Sequence, residues 1–193
     1  SRYVFGLLSD RSMGFNKAMA GVAQGFREGS QINIANPASY SAVDSLSALF
    51  DIGVTLQNGN FKMGSTQQNV KNSTFDYFAF QFRAAKNPGI TAGIMPISNI
   101  KYNFESVNEV IEGTEGVEST YNFNGSGGLR EVMLGAGWQP IDGLSVGFNA
   151  SYVWGDFAHT MLMSLNEISA YSVSRVYNAD ISTFNIQFGA QYV

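Results

Sequence analysis

Catalysis needs reactive side chains at a fixed spacing, and this sequence offers few. Its one histidine is His159, and a lone imidazole with no neighbouring nucleophile reads as a surface residue rather than a general base. The run Gly125-Ser126-Gly127-Gly128 does not follow a strand and open a helix, so it reads as a turn, not a phosphate loop. Glu105, Glu109, Glu112, Glu115 and Glu118 recur every three or four residues, which would place them on one helical face. With no other ligand type beside them, a solvated loop face explains them more simply than a cation site does. Cysteine is absent, which removes disulfides and thiolate metal sites. No enzyme activity, metal or cofactor is expected.

One apolar group is more suggestive. Between Phe157 and Tyr171, Met161, Leu165 and Ile168 recur at helical spacing with Leu162 beside them. A loop that only met water would not need them. They suit a lid, a docking surface for another protein, or a capture groove for a hydrophobic ligand.

The elements that must carry these residues are strands. In Gly143–Gly155, Leu144, Val146, Phe148, Ala150, Tyr152 and Trp154 point one way, and Ser145, Gly147, Asn149, Ser151 and Val153 point the other. The same stripe recurs at Phe50–Leu56, Phe78–Ala84, Ile90–Ile94, Val132–Trp138 and Phe184–Tyr192, and no stripe holds a charged residue. The opposite face carries Gly, Ser, Asn, Gln and Thr rather than the charges that a sheet face in bulk water usually shows. Composition agrees: 45% of residues are hydrophobic and only 13% charged, a deficit of solvated surface. Fifteen acids against eleven bases, net −4, argue against a nucleic-acid partner. No run of about 18 apolar residues makes a transmembrane helix.

Six strands are drawn, at 48–63, 73–84, 89–104, 128–138, 143–155 and 176–193. Tight turns at 84–89 and 139–143 alternate with longer links at 64–72, 105–127 and 156–175, the pattern of an outer-membrane barrel with long outer loops. The expected fold is all-β, a transmembrane antiparallel barrel with the apolar stripe against lipid. Trp138, Tyr192 and Trp154 then mark its interfacial girdles. Tyr77, Gln81, Arg83, Asn149, Asn185 and Gln187 face the lumen. Arginine at Phe148 is expected to cost about 2–4 kcal/mol in lipid and arginine at Asn149 much less.

Residues 14–46 have no period of two and are rich in Gly, Ala, Ser and Asn. The pieces AMAGVA and ANPASYSAVDS, with Asn36, Pro37 and Ala38 as the sharp motif just before the first strand, resemble the N-terminal hatch of the FadL/TodX family. Those proteins are outer-membrane transporters of fatty acids and other hydrophobic compounds. The resemblance implies a hatch over residues 1–46 and the first six transmembrane strands, with three long outer loops, over 47–193. It makes the chain the N-terminal half of a barrel of about fourteen strands. It also implies a bacterial outer-membrane location, contact with outer-membrane lipid, and passive uptake of a fatty-acid-like ligand. The alternative is a non-transporting accessory barrel whose partners are other outer-membrane proteins.

Overall fold

The computed structural model describes residues 6–85, 87–109, 118–165 and 172–193. Among the described residues the chain is all-β apart from two short helical pieces: β1 (Leu7–Leu8), α1 (Gly14–Ala18), a 3-10 helix (Pro37–Ala42), β2 (Ala48–Met63), β3 (Thr66–Arg83), β4 (Gly89–Glu109), β5 (Glu118–Ile141), β6 (Leu144–Leu165) and β7 (Val173–Tyr192). The six long strands lie in chain order in one open antiparallel sheet, β2-β3-β4-β5-β6-β7, with β1 paired to β4. No described helix is long and apolar enough to cross a membrane.

All six expected strands are present, and several run further than the apolar alternation does. The link drawn at 64–72 shrinks to the hairpin turn Gly64-Ser65, since β2 and β3 stay paired out to Met63↔Thr66. Residues 67–73 are polar except for Val70 and give no alternation signal, yet cross-strand pairing extends the strand through them. Likewise Gly125-Ser126-Gly127-Gly128 lies inside β5, not in a turn. A side chain at Gly127, whose φ is 125°, would run into the Asp156 backbone on β6, so glycine here permits a close strand approach. Glu105, Glu109 and Glu118 sit on strands β4 and β5 rather than on a helix; Glu112 and Glu115 lie outside the described residues.

The stripes are where the alternation places them, and their burial runs opposite to that of a soluble sheet. Along β5, Glu131, Met133, Gly135 and Gly137 are buried while Val132, Leu134 and Trp138 are exposed; along β6, Ser145, Asn149 and Ser151 are buried while Val146, Phe148 and Tyr152 are exposed. At the centre of the motif the contrast is 47% exposure for Phe148 against 4% for Asn149.

The chain divides into two compact units. One comprises residues 1–8, 97–129 and 154–182. It holds the β1–β4 pairing and a row of neighbouring rings, Tyr121, Phe123, Phe104, Tyr102 and His159, with centroids 5.1–6.3 Å apart. The other comprises residues 9–96, 130–153 and 183–193. Its core is small: Met13, Ile32, Ile34 and Tyr40 pack with Tyr77, Ala79, Met95 and Met133. That core joins the N-terminal segment to the polar face of the sheet.

Candidate functional site

The segment Asn33–Val43 is shaped locally before it docks. Asn36 is extended and accepts the Ala38 N–H at 3.2 Å on Oδ1, while Pro37 stands in the first helical turn, where its missing N–H costs nothing. The Ser39 N–H and hydroxyl both donate to the Asn36 carbonyl, at 3.0 and 2.7 Å. The result is one tight 3-10 turn with Pro37 to Ser41 buried. Its backbone lies directly on the strands, and glycines make the floor. A methyl group at Gly137 would come within 2.6 Å of the Pro37 carbonyl and 2.9 Å of Tyr40 Cβ; at Gly189 it would come within 2.7 Å of Pro37 Cδ.

Polar side chains from the strands meet the segment's backbone. Asn149 Nδ2 donates to the Ile34 carbonyl (3.1 Å), Gln187 Nε2 to Ala35 (3.0 Å), Gln81 Nε2 to Tyr40 (3.4 Å), Arg83 Nη1 to Val43 (3.0 Å) and Gln191 Nε2 to Gly25 (3.0 Å). The fully buried Tyr40 returns the contact by donating its hydroxyl to Asn149 Oδ1 at 2.9 Å, and burial pushes that phenol well above its ordinary pKa. Arg27 donates to Ser145, to Ser41 (3.2 Å) and to Gln139 (3.0 Å); burial lowers its pKa, and a guanidinium stays charged even so.

Further upstream the anchors are ionic. Arg11 Nη2 lies 2.7 Å from Glu131 Oε2, with the arginine side chain 48% exposed and the glutamate only 2%. Lys17 on α1 reaches Asp76 on β3 at 2.7 Å, a hydrogen bond that raises the lysine pKa. The Gly14 N–H donates to the Tyr77 hydroxyl at 2.7 Å, and that hydroxyl donates to Asp51 at 3.2 Å.

The structure brings Tyr77, Gln81, Arg83, Asn149 and Gln187 together against the N-terminal segment. Asn185 differs: its side chain is exposed, and its backbone carbonyl accepts the Ser151 hydroxyl at 3.4 Å. Asn36, Pro37 and Ala38 form the turn itself. Met161 and Leu162 lie in strand β6, which runs to Leu165, so the helical spacing is not realised there; Ile168 lies outside the described residues. His159 is in the same strand, half-buried, with Nδ1 2.9 Å from the Tyr102 hydroxyl, not in a loop. Arg11, Arg27, Tyr40 and Glu131 carry the seat without any motif marking them. Glu131 was nonetheless findable, as an acid on the small face of a strand whose other face is apolar. Nor is Asn149 a mild place for arginine: its three hydrogen bonds leave no room for one.

No curated protein and no solved structure matches the chain. A family model described as BamG matches residues 1–193, the whole sequence. The resemblance to FadL/TodX transporters is overturned by that match. Asn-Pro-Ala marks a capped turn that can arise wherever a chain must lie flat on a sheet, and it does not distinguish one family from another.

The ion pair should respond asymmetrically. Arg11→Ala leaves a buried carboxylate without its cation and is expected to destabilise the seat by up to about 3 kcal/mol. Glu131→Gln leaves a half-exposed arginine in water and costs less. Urea denaturation of the two variants, with tryptic cleavage after Arg27 as a local readout, checks the order. Tyr40→Phe strands Asn149 Oδ1 and should cost about 1–3 kcal/mol in the same assay, and Gly137→Val should expose the segment to protease by displacing Pro37.

Proposed function

Because the chain belongs to the BamG family over all 193 residues, we propose that it is an outer-membrane assembly subunit associated with the BAM complex. The family match carries this reading. The accessory-subunit alternative takes the place of hydrophobic-compound uptake, which rested on the FadL/TodX resemblance.

The structure supports a place in the membrane wall. Phe50, Ile52, Val54 and Leu56 on β2, Leu134 on β5, Phe148 on β6 and Phe184, Ile186 and Phe188 on β7 are all exposed. Apolar surface on this scale, free of charge, is what lipid covers. A sheet in lipid must satisfy its edge N–H and C=O groups, each costing several kcal/mol if unpaired. In the membrane β2 and β7 therefore each have a strand neighbour, and the sheet is part of a barrel wall. Residues 9–46 then work as the wall's own plug, held by the seat described above.

Two outcomes are expected. Affinity-tagged chain purified from outer membranes in mild detergent co-purifies the BAM complex; its absence from the eluate would remove the assembly reading. Phe148→Arg lowers folding stability in lipid vesicles by about 2–4 kcal/mol, whereas Thr183→Arg, at an exposed position outside the stripe, does not. Equal stability of the two would remove the membrane placement.

A further inference from the structure

The outward face of the β2–β3 hairpin changes character along its length. Directly paired residues of an antiparallel ladder share a face, and every second pair lies on the same one. Phe50↔Phe80, Ile52↔Phe78 and Val54↔Phe75 carry the apolar stripe, the register skipping Asp76 so that Phe75 keeps its side. Beyond Leu56↔Ser73 the same face continues as Asn58↔Lys71, Asn60↔Asn69 and Lys62↔Gln67, six polar side chains that are all exposed. At the opposite end the stripe runs to Phe82 and β3 stops one residue later, at the tight turn where Asn87 Nδ2 donates to the Gln139 carbonyl at 3.3 Å. The hairpin therefore projects past the stripe at one end only, as barrel strands do on the outer side of the membrane.

The chemistry of this projecting face says what covers it. From Ile52 to Phe75 there is no Asp or Glu, and Lys62 and Lys71 are the cations, in a chain of net charge −4. Among the described residues neither lysine meets an acid. Their rungs stand roughly 13 Å apart along the strands, with the amides between them. Asn69 Nδ2 donates to Asn58 at 2.7 Å and to Asn60 at 2.6 Å, which ties the row together. An anion bound at this height, with hydrocarbon against the stripe below it, is a lipid headgroup. Two separated ammonium groups suit phosphates, and amides, which both donate and accept, suit the hydroxyls of a sugar that carries them.

We infer that the outward face of the hairpin from Asn58 to Lys71 binds the phosphorylated saccharide headgroup of an outer-leaflet glycolipid. The inference rests on the membrane placement and names the lipid that meets this part of the wall. The full chain in mild detergent is titrated with phosphorylated lipopolysaccharide. Lys62→Glu with Lys71→Glu should lower the affinity about tenfold or more, and Lys62→Arg with Lys71→Arg should retain it, with unchanged β-sheet content by circular dichroism. Should charge reversal disturb the sheet, Lys62→Gln with Lys71→Gln takes its place with the same expected direction. Asn58→Ala with Asn60→Ala should weaken glycolipid binding several-fold and leave phosphatidylglycerol binding unchanged, which reads the sugar apart from the phosphate. Unchanged affinity on loss of the lysine charges, equal binding of the dephosphorylated glycolipid, or amide variants that affect both lipids alike or neither would each overturn the inference. If Phe148→Arg and Thr183→Arg are equally stable in vesicles, the membrane placement fails and this inference falls with it; loss of headgroup binding alone leaves that placement standing.

Discussion

An irregular backbone has as many donors and acceptors as a helix but no ladder to satisfy them. The stretch from Ala23 to Val43 is mostly irregular and, from Ile32 on, largely buried, and it survives because strand side chains meet its carbonyls. Asn149, Gln187, Gln81 and Arg83 donate to Ile34, Ala35, Tyr40 and Val43. Asn33 and Asn36 do the same within the segment, reaching Ala23, Phe26 and Gln24. This requirement explains the small polar face of the sheet. Amides must be long enough to reach the segment and glycines bare enough to let its backbone approach, which leaves little room on that face for large apolar residues. These go to the other side, where they remain exposed.

The alternation of apolar and small residues was legible because a strand's side-chain period is fixed, and one face of this sheet is uniformly apolar. From it follow the all-β class, the positions of the six strands and the facing of Tyr77, Gln81 and Asn149. The extent of the strands was not legible. Residues 67–73 and 118–127 form strands through pairing with a neighbour, a non-local fact that Gln67, Asn69 or Ser126 does not signal. Met161 and Leu162 show the converse error: a helical spacing of apolar residues within a continuous strand, where cross-strand hydrogen bonding overrides a local period.

The seat was legible only in part. Asn36 and Pro37 announce a turn, and the structure has one. That Tyr40 would insert to Asn149, or that Arg11 would find Glu131 120 residues away, depends on where the segment lies across the strands. No local pattern encodes that placement. The same limit explains the mistaken resemblance: a capped turn, small residues and a rising strand are what any chain needs to cover a polar sheet face with its own N-terminal segment.

The hydrogen bonds of the seat also constrain where function can reside. A cargo or partner using the polar face beneath residues 23–43 would have to displace at least five strand-to-backbone hydrogen bonds, each contributing about 0.5–1.5 kcal/mol net and costing more if left unmade. The apolar core around Met13 and Tyr40 would be opened with them. The apolar stripe on the opposite face carries no such load, because its side chains are already exposed. On the proposed reading of a subunit in an assembly, the polar face of the sheet is therefore committed to the chain itself, and contacts with neighbours fall to the surfaces that are still exposed.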